Sequence, residues 1–167
     1  ELQARGAHCT MIFKAPLNGH RRNLVPGDEA AARSLLDELG PLTGVVHLWS
    51  LDDPKTEELT AGSLTGAQDG GLAGLVALTR ALLGLPTPPR LWIVTQDAVA
   101  ATQDDRLEGL AQSPVRGFGR SVALEAPHIW GGLLDLPHRL DLTRDTALIA
   151  AAFSSAGEHS ETALRDG

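Results

Sequence analysis

GVVHLWSL, residues 44–51, is the stretch of sequence that decides the fold. It is an almost continuous apolar run bounded by Gly44 and by a pair of aspartates. Runs of this kind form strands that are buried on both faces, as in parallel sheets. Two further runs share this character, LWIVT at 91–95 and WGGLLDL at 130–136. The intervals between the three runs are long enough for the helical crossovers that join parallel strands.

Helical patterns occupy those intervals. EAAARSLLDELG, residues 29–40, places its leucines on one face, and Asp28 precedes it as a candidate cap. The other predicted helices are 64–85, one or two helices within 107–125 with Pro114 near the start of the second, and 145–156. The end segments predict a final helical turn at 1–6 closed by Gly6, a strand at 8–13 and a short last strand at 161–165. The sequence therefore predicts a single α/β domain, a truncated Rossmann-like and mainly parallel open sheet with helices on both faces.

The composition limits the function classes. A formal net charge of -7 and a pI near 5.3 argue against a nucleic-acid partner, because phosphates would be repelled. The chain has no apolar run of about 18 residues, so we expect no membrane span. No segment resembles a signal peptide. Cys9 is the one cysteine and cannot form an internal disulfide, which favours a cytoplasmic protein.

The glycine motif that binds dinucleotides is missing from the predicted strand-to-helix turns. Such sites use G-x-G-x-x-G directly after the first strand. The nearest candidate is Gly117-Phe118-Gly119-Arg120, which lies inside a helical pattern. We interpret these glycines as close packing of a helix on the sheet. The usual position of the motif would precede Glu1, so this absence alone does not exclude a cofactor.

Catalytic groups are also missing. Short-chain reductases on this type of sheet use a Tyr as general acid and a nearby Lys that lowers its pKa. This chain contains no Tyr, and no Lys follows Lys55. Phe118 is the aromatic residue nearest to the position of that Tyr, and its ring has no proton to give. We therefore expect no catalytic residue of this type.

Other polar groups are interpreted as structural. His47, Asp52 and Asp53 surround the end of the first apolar run, and we expect a hydrogen-bonded histidine followed by a solvated turn. His8 and Cys9 are adjacent and would point to opposite faces of a strand, without a partner at metal-ligand spacing, so no metal site is predicted. No G-x-S-x-G elbow is present, which argues against a hydrolase triad.

Two groups of larger side chains receive similar interpretations. Arg116, Arg120 and Glu125 lie at helical spacing, which favours an internal Arg–Glu salt bridge over an anion or partner site, and both remain open. The three tryptophans each fall in a predicted strand, where large aromatic rings pack under a covering helix. They are Trp49, Trp92 and Trp130.

Several segments together resemble one family, the structural subdomain of ketoreductases in bacterial modular type I polyketide synthases. They are GVVHLWSLD (44–52), PPRLWIVTQDAV (88–99), SPVRGFGRSVALEAPHIWGGLLDLP (113–137) and ETALRDG (161–167). The third segment is the most specific, because a helix, a Glu-x-Pro break and a Trp-Gly-Gly strand occur in order.

The resemblance implies a role without catalysis. In that family the C-terminal half of the ketoreductase region binds NADPH and reduces a β-keto group carried on acyl carrier protein. The N-terminal half is a pseudo-Rossmann copy that binds no cofactor and braces the catalytic half within the multienzyme. His47 stands where catalytic copies have His, but Leu48-Trp49-Ser50 follow instead of Ala-Ala-Gly. Thr95-Gln96 stand where the active copy has its catalytic Ser. The resemblance therefore implies no catalytic, cofactor or metal residue in this chain, and NADPH only on the partner subdomain.

The same resemblance predicts a missing piece and leaves alternatives open. The family's opening strand would lie between the strands at 8–13 and 44–51, so residues 1–167 are expected to be a single pseudo-Rossmann subdomain whose first strand lies upstream of Glu1. One alternative is a nucleotide-binding, short-chain-reductase-like enzyme whose phosphate loop lies upstream. Another is a free-standing adaptor that binds a protein partner through Arg116 and Arg120.

Overall fold

The computed structural model describes residues 2–14, 22–154 and 161–165. Its centre is a four-stranded sheet in which neighbouring strands run parallel and follow the order of the chain. The strands are β1 Gly44–His47, β2 Arg90–Gln96, β3 Trp130–Leu136 and β4 Glu161–Ala163. The predicted parallel sheet is confirmed, and all four carboxyl ends therefore lie along one edge of it.

Five α-helices connect and cover the strands in the described residues. They are α1 Glu29–Leu39, α2 Ala61–Ala67, α3 Ala73–Leu83, α4 Ser113–Glu125 and α5 Leu142–Ser154. The predicted cap is confirmed, since the Asp28 carboxylate accepts from the Ala31 amide at 2.9 Å. Pro114 occupies the first turn of α4, where its missing amide proton leaves no hydrogen bond broken.

The helix predicted at 64–85 begins and ends earlier in the chain, at Ala61 and Leu83, and is less regular than its pattern indicates. It begins at Ala61, capped by a reciprocal Thr60–Ser63 capping box. A π-helical turn, Gln68–Leu72, joins α2 to α3 without an interruption of helical backbone. The turn contains two consecutive glycines, which are poor helix formers. The hydrophobic periodicity detected the helix correctly, but it carries no signal for a local change in winding.

The core has two parts, one on each face of the sheet. On the first face Leu91, Ile93 and Leu133 pack with residues of α1, α3 and α4. On the second face Val94 and Leu134 pack with residues of α5. Helices on both faces confirm the predicted layering. No helix in the described ranges is long and apolar enough to cross a membrane.

Two predicted strands need correction. Residues 8–13 form no strand, and the segment has a single parallel bridge between Phe13 and Asn23. Residues 8–11 are exposed, so their β-forming side chains have no sheet to pack against. The strand predicted at 44–51 ends at His47, and a 3₁₀ turn, Trp49–Asp52, replaces its second half. The buried Ser50 hydroxyl donates to the Val94 carbonyl at 3.0 Å, which ties this turn to β2.

The remaining boundaries differ by a few residues. Within 107–125 the structure has a short 3₁₀ turn, Leu110–Gln112, followed by α4. The last helix begins at Leu142 rather than 145, because the Asp141 carboxylate accepts from the Thr143 amide at 2.9 Å and caps it. Gly6 closes the predicted turn with a φ of 88°, although that turn is 3₁₀. The predicted helix residues 155 and 156 lie outside the described residues.

Candidate functional site at the carboxyl ends of the strands

The carboxyl ends of the strands are where open α/β sheets hold their ligands. Asp97 follows β2, His138 comes two residues after β3, and Arg165 comes two residues after β4. The loop at 97–109 lies beside them, since the Gly109 amide donates to the Asp97 carbonyl at 3.0 Å. Charged side chains from the segments that follow β2, β3 and β4 therefore meet at this edge.

Asp135 is the centre of this site. Its side chain is fully buried in β3 and accepts from the Thr95 hydroxyl at 2.6 Å and from the Ala98 amide at 3.1 Å. Its second oxygen accepts from Arg165 Nη2 at 2.7 Å. Three donors, one of them a guanidinium, therefore satisfy the hydrogen-bonding capacity of this buried side chain.

Arg116 brings a second cation from α4 to the same buried position. Its Nη1 donates to the Thr95 hydroxyl at 3.3 Å and lies 3.8 Å from Asp135. Its Nη2 donates to Glu161 of β4 at 2.9 Å. Burial lowers the pKa of this guanidinium, and the nearby Asp135 and Glu161 carboxylates raise it. Arginine nevertheless stays protonated in proteins, so the site holds a fixed positive charge.

The structure contains an Arg–Glu salt bridge as predicted, but the carboxylate is that of Glu161 rather than Glu125. Arg120 donates to Glu161 at 2.6 and 3.0 Å, so one carboxylate of β4 receives both arginines of α4. Hydrogen bonding to Arg120 lowers the pKa of Glu161. The helical spacing suggested Glu125 because sequence reasoning sees only neighbours on one helix. The partner interpretation requires an accessible Arg116, and its side chain is only 7% exposed.

Arg165 joins the end of β4 to the loop that follows β2. It donates through Nε to Asp105 at 2.7 Å and through Nη2 to the Val99 carbonyl at 2.6 Å. The hydrogen bond from Arg165 holds the pKa of Asp105 below its usual range. The loop is thus held against the sheet by the same guanidinium that pairs with Asp135.

The residues at the catalytic-serine position take part in internal bonds. The Thr95 hydroxyl lies between Asp135 and Arg116, as described above. The Gln96 side-chain amide donates to the Pro137 carbonyl at 2.9 Å, and the Gln112 side chain bonds the Gln96 backbone on both sides. Phe118 packs partly buried against the core. These side chains hold α4 and the strand ends together.

His47 differs from its predicted environment. It is buried as expected, but within the described residues neither ring nitrogen has a hydrogen-bond partner. Burial, with a smaller effect of Lys14, lowers the pKa of His47 to about 4. The imidazole is therefore neutral at physiological pH and contributes packing, including a ring contact with Trp49 at 5.8 Å.

The two aspartates after β1 are unlike each other. Asp52 is exposed and pairs with Lys14 at 3.1 Å, as a solvated turn residue does. Asp53 has one buried carboxylate oxygen without a partner in the described part of the chain. Burial raises the pKa of Asp53 to about 6, while Lys14 acts in the opposite direction. In the described residues, neither aspartate is hydrogen-bonded to His47, so the three side chains do not form a triad.

Of the two glycines in the motif of α4, Gly119 packs closely against the sheet as predicted, and Gly117 does not. A Cβ at Gly119 would lie 2.9 Å from the Ile93 Cδ1 atom and 3.3 Å from the Trp130 ring. A Cβ at Gly117 would meet nothing within 4 Å. Gly119 therefore lets α4 approach the sheet closely, and it is not part of a phosphate loop.

The tryptophans pack under helices, as predicted. Trp92 meets Phe153 of α5 edge-on, with the ring centroids 5.9 Å apart. Trp130 lies under Gly119 of α4, and Trp49 lies against Gly74 of α3. Trp49 is in the 3₁₀ turn rather than in a strand, so the first part of its prediction is wrong.

A group that the sequence analysis missed lies beside the ion pairs. His138 Nδ1 is 3.0 Å from an Asp97 oxygen and 3.2 Å from a Glu108 oxygen. Asp97 and Glu108 lie at the two ends of the loop at 97–109, and the parallel topology places His138, after β3, beside them. His8 and Cys9, by contrast, lie in an exposed segment without strand structure, and Cys9 is a free thiol.

A family model described as "Polyketide synthase extender module SpnB, Rossmann fold domain" matches residues 10–167. The chain belongs to this family. It is a Rossmann-like piece of the ketoreductase region of a modular polyketide synthase, as the resemblance indicated.

Similar proteins agree with this membership of the extender-module Rossmann domain family. Polyketide synthase GfsB of Streptomyces halstedii is 40% identical over 107 residues, which are 62% of this chain and 2% of GfsB. Pikromycin polyketide synthase component PikAII of Streptomyces venezuelae is 32% identical over 152 residues, 89% of this chain and 4% of PikAII. The Rossmann domain therefore spans a small share of the length of these relatives.

A solved structure confirms the fold of the Rossmann domain. "Structure of A-type Ketoreductases from Modular Polyketide Synthase" matches with a TM-score of 0.69 and 32% sequence identity. The match covers 89% of this chain and 31% of that chain. The parallel sheet with helices on both faces is thus shared with a ketoreductase.

Proposed function

We propose that this chain is a noncatalytic structural subdomain that braces the catalytic ketoreductase half of a modular polyketide synthase. The observation that carries the proposal is the position of Arg116. Its buried guanidinium bonds Thr95 near the carboxyl end of β2 and Glu161 at the start of β4. A reductase on this sheet needs a proton donor and an open crevice there. A guanidinium that stays protonated and is paired internally cannot be that proton donor.

The sequence supports the same proposal independently of the geometry. The chain has no Tyr to serve as general acid. Of its two lysines, Lys14 donates to the Trp49 carbonyl and pairs with Asp52, while Lys55 pairs with Glu108. Because the chain has no Tyr, neither lysine can act as the short-chain reductase lysine does, by lowering the pKa of a tyrosine general acid. The polar groups at the strand ends are instead organised as hydrogen-bonded supports.

The proposal includes the absence of a bound dinucleotide and assigns NADPH to the partner half. At the end of β1, where a cofactor would approach the sheet, the backbone turns into a 3₁₀ segment and Ser50 is fully buried. The test is a titration of the chain with NADPH, followed by cofactor fluorescence. We expect no saturable change. Saturable binding at micromolar concentrations would overturn this part and favour the nucleotide-binding alternative.

The bracing role predicts an effect on the neighbouring half. A stable contact between two such domains buries roughly 800 Å² on each side. The catalytic half should therefore be less soluble, or unfold at a lower temperature, when it is expressed without this chain. Equal stability and equal ketoreductase rates with and without the chain would contradict the proposal.

A variant of this chain separates bracing from catalysis. Thr95→Ala removes the hydroxyl at the catalytic-serine position, together with its hydrogen bond to Asp135. We expect the chain to lose about 1 kcal/mol of stability, while the ketoreductase rate of the combined halves stays unchanged. If the variant is fully folded and the ketoreductase rate nevertheless falls by orders of magnitude, this chain takes part in the chemistry.

A further inference from the structure

We propose that Asp97, Glu108 and His138 form a binding site for one divalent transition-metal ion, of which Zn²⁺ is the expected occupant. The proposal goes beyond the bracing role and does not depend on it. One ligand atom from each residue lies within 4.8 Å of the other two. In the described part of the chain, this is the one group of three His, Cys, Asp or Glu residues whose ligand atoms lie this close together.

The three ligands stand on backbone that is already held in place. Asp97 follows β2 with a φ of 49°, and its amide donates to the Leu136 carbonyl at 3.1 Å. The Glu108 carbonyl accepts from the Thr56 amide at 2.8 Å. His138 comes shortly after β3. A metal ion would therefore meet side chains whose backbone positions are set by the fold, which reduces the entropy lost on binding.

The distances suit a tetrahedral ion. Zn²⁺ binds nitrogen and oxygen ligands at about 2.0–2.1 Å, which places neighbouring tetrahedral ligands about 3.3 Å apart. His138 Nδ1 lies 3.0 Å from Asp97 and 3.2 Å from Glu108. The third pair of ligand atoms, on Asp97 and Glu108, lies within 4.8 Å. An imidazole nitrogen with two carboxylate oxygens favours Zn²⁺ and similar ions over Mg²⁺ and Ca²⁺, which prefer all-oxygen sites.

The charges of the group favour a cation between the ligands. The one N–H on His138 Nδ1 can make a well-aligned hydrogen bond to only one carboxylate, so the other close nitrogen–oxygen contact has poor hydrogen-bond geometry. Burial raises the pKa of Asp97, and the negative charges of Asp135 and Glu108 add to that effect, whereas His138 opposes it. A divalent ion bound by all three ligand atoms removes this repulsion.

Space for further ligands is present on the solvent side. The three residues line a cavity of about 570 Å³ that also includes Asp104 and Asp105. His138 is 47% exposed, while Asp97 is 11% exposed. The ion would thus have protein ligands on its inner side and water on its outer side, like an open three-ligand site. Lys55, which is 3.3 Å from Glu108, would have to move aside.

The test uses Zn²⁺ itself as the probe. The 167-residue chain is freed of metal with a chelator, and Zn²⁺ is titrated in by calorimetry, with Co²⁺ absorption as a second readout. We expect one equivalent of Zn²⁺ to bind. His138→Ala and Glu108→Gln should each weaken the affinity at least about tenfold and remove the d–d bands of bound Co²⁺. Both side chains are partly exposed, so the variants should fold, as thermal unfolding without metal will show.

His128→Ala is the matched control, because His128 is another exposed histidine, in the turn between α4 and β3. It should leave Zn²⁺ affinity and the Co²⁺ spectrum unchanged. Affinity weaker than about 1 mM in the unmodified chain would overturn the proposal. The same holds if His138→Ala and His128→Ala reduce binding equally, since Zn²⁺ would then bind to surface histidines without a defined site.

Discussion

Asp135→Asn tests the energetic centre of the site. Asparagine keeps the shape of the side chain and one acceptor oxygen, which can still receive Thr95 and the Ala98 amide. Its amide group replaces the oxygen that accepts from Arg165 at 2.7 Å, so two donors then face each other. The substitution also removes the counter-charge of two arginines whose side chains are only 7% and 14% exposed.

The expected loss is about 3 kcal/mol of the free energy of unfolding. Removing one partner of a buried ion pair costs about 3–5 kcal/mol, because the other charge stays buried. The lower end applies here since Arg165 retains Asp105 at 2.7 Å. For a chain of this size, about 3 kcal/mol corresponds to a fall in Tm of roughly 10 °C.

The measurement is urea unfolding followed by circular dichroism, with calorimetric Tm as a second readout. Asp28→Asn is the control, because asparagine caps a helix about as well as aspartate and Asp28 is exposed. It should change stability by less than about 0.5 kcal/mol. If Asp135→Asn is as mild as Asp28→Asn, the network contributes little and the argument from Arg116 and Arg165 fails.

Three further predictions concern buried groups outside the network. Burial lowers the pKa of His47 to about 4, so as the pH falls from 6.5 to 4 the unfolded chain gains a proton that the folded chain does not. The free energy of unfolding should therefore fall by about 3 kcal/mol as the pH is lowered through this range. His47→Leu should lose this dependence in urea unfolding at several pH values, and an unchanged slope would refute the reasoning. Asp53, whose pKa is raised to about 6, should act in the opposite direction, with stability falling as pH rises from 4 to 6. Since Asp53 is partly exposed, Asp53→Asn should gain only about 1 kcal/mol at pH 7 and nothing at pH 4, and a gain at both pH values would show another cause. Gly119→Ala should cost about 1–3 kcal/mol by forcing α4 away from Ile93, whereas Gly117→Ala should be neutral or slightly stabilising; equal thermal shifts for the two would contradict the close-packing argument.

Much of the fold could be predicted from sequence because its strands are buried on both faces. WGGLLDL was placed at its observed bounds, and LWIVT lacked only one residue at each end. The strand at 8–13 was wrong because β-forming residues alone do not produce a strand without a neighbour to pair with. The shortened β1 has a similar cause, since the Ser50 hydrogen bond to β2 bends the chain where hydrophobicity alone indicates extension.

The candidate site was predicted less completely than the fold. Absences such as the missing Tyr are visible in the sequence, as is the chemistry of Arg116 and Arg120. Their shared partner Glu161 was not found, because it reaches them through the order of the strands rather than through helical spacing. Asp97 and His138 escaped notice for the same reason. A scan of the first two residues after each predicted strand would have found both of them.

The bonds made by Arg165 have a practical consequence for recombining synthase modules. Arg165 lies just beyond β4, yet it is the nearest cation to Asp135 and the residue that ties down Asp105. A chimera joined between β4 and Arg165 would place a foreign side chain at that position and leave Asp135 with only the more distant Arg116, 3.8 Å away, as its counter-charge. Junctions for grafting a different ketoreductase therefore belong on the far side of this arginine.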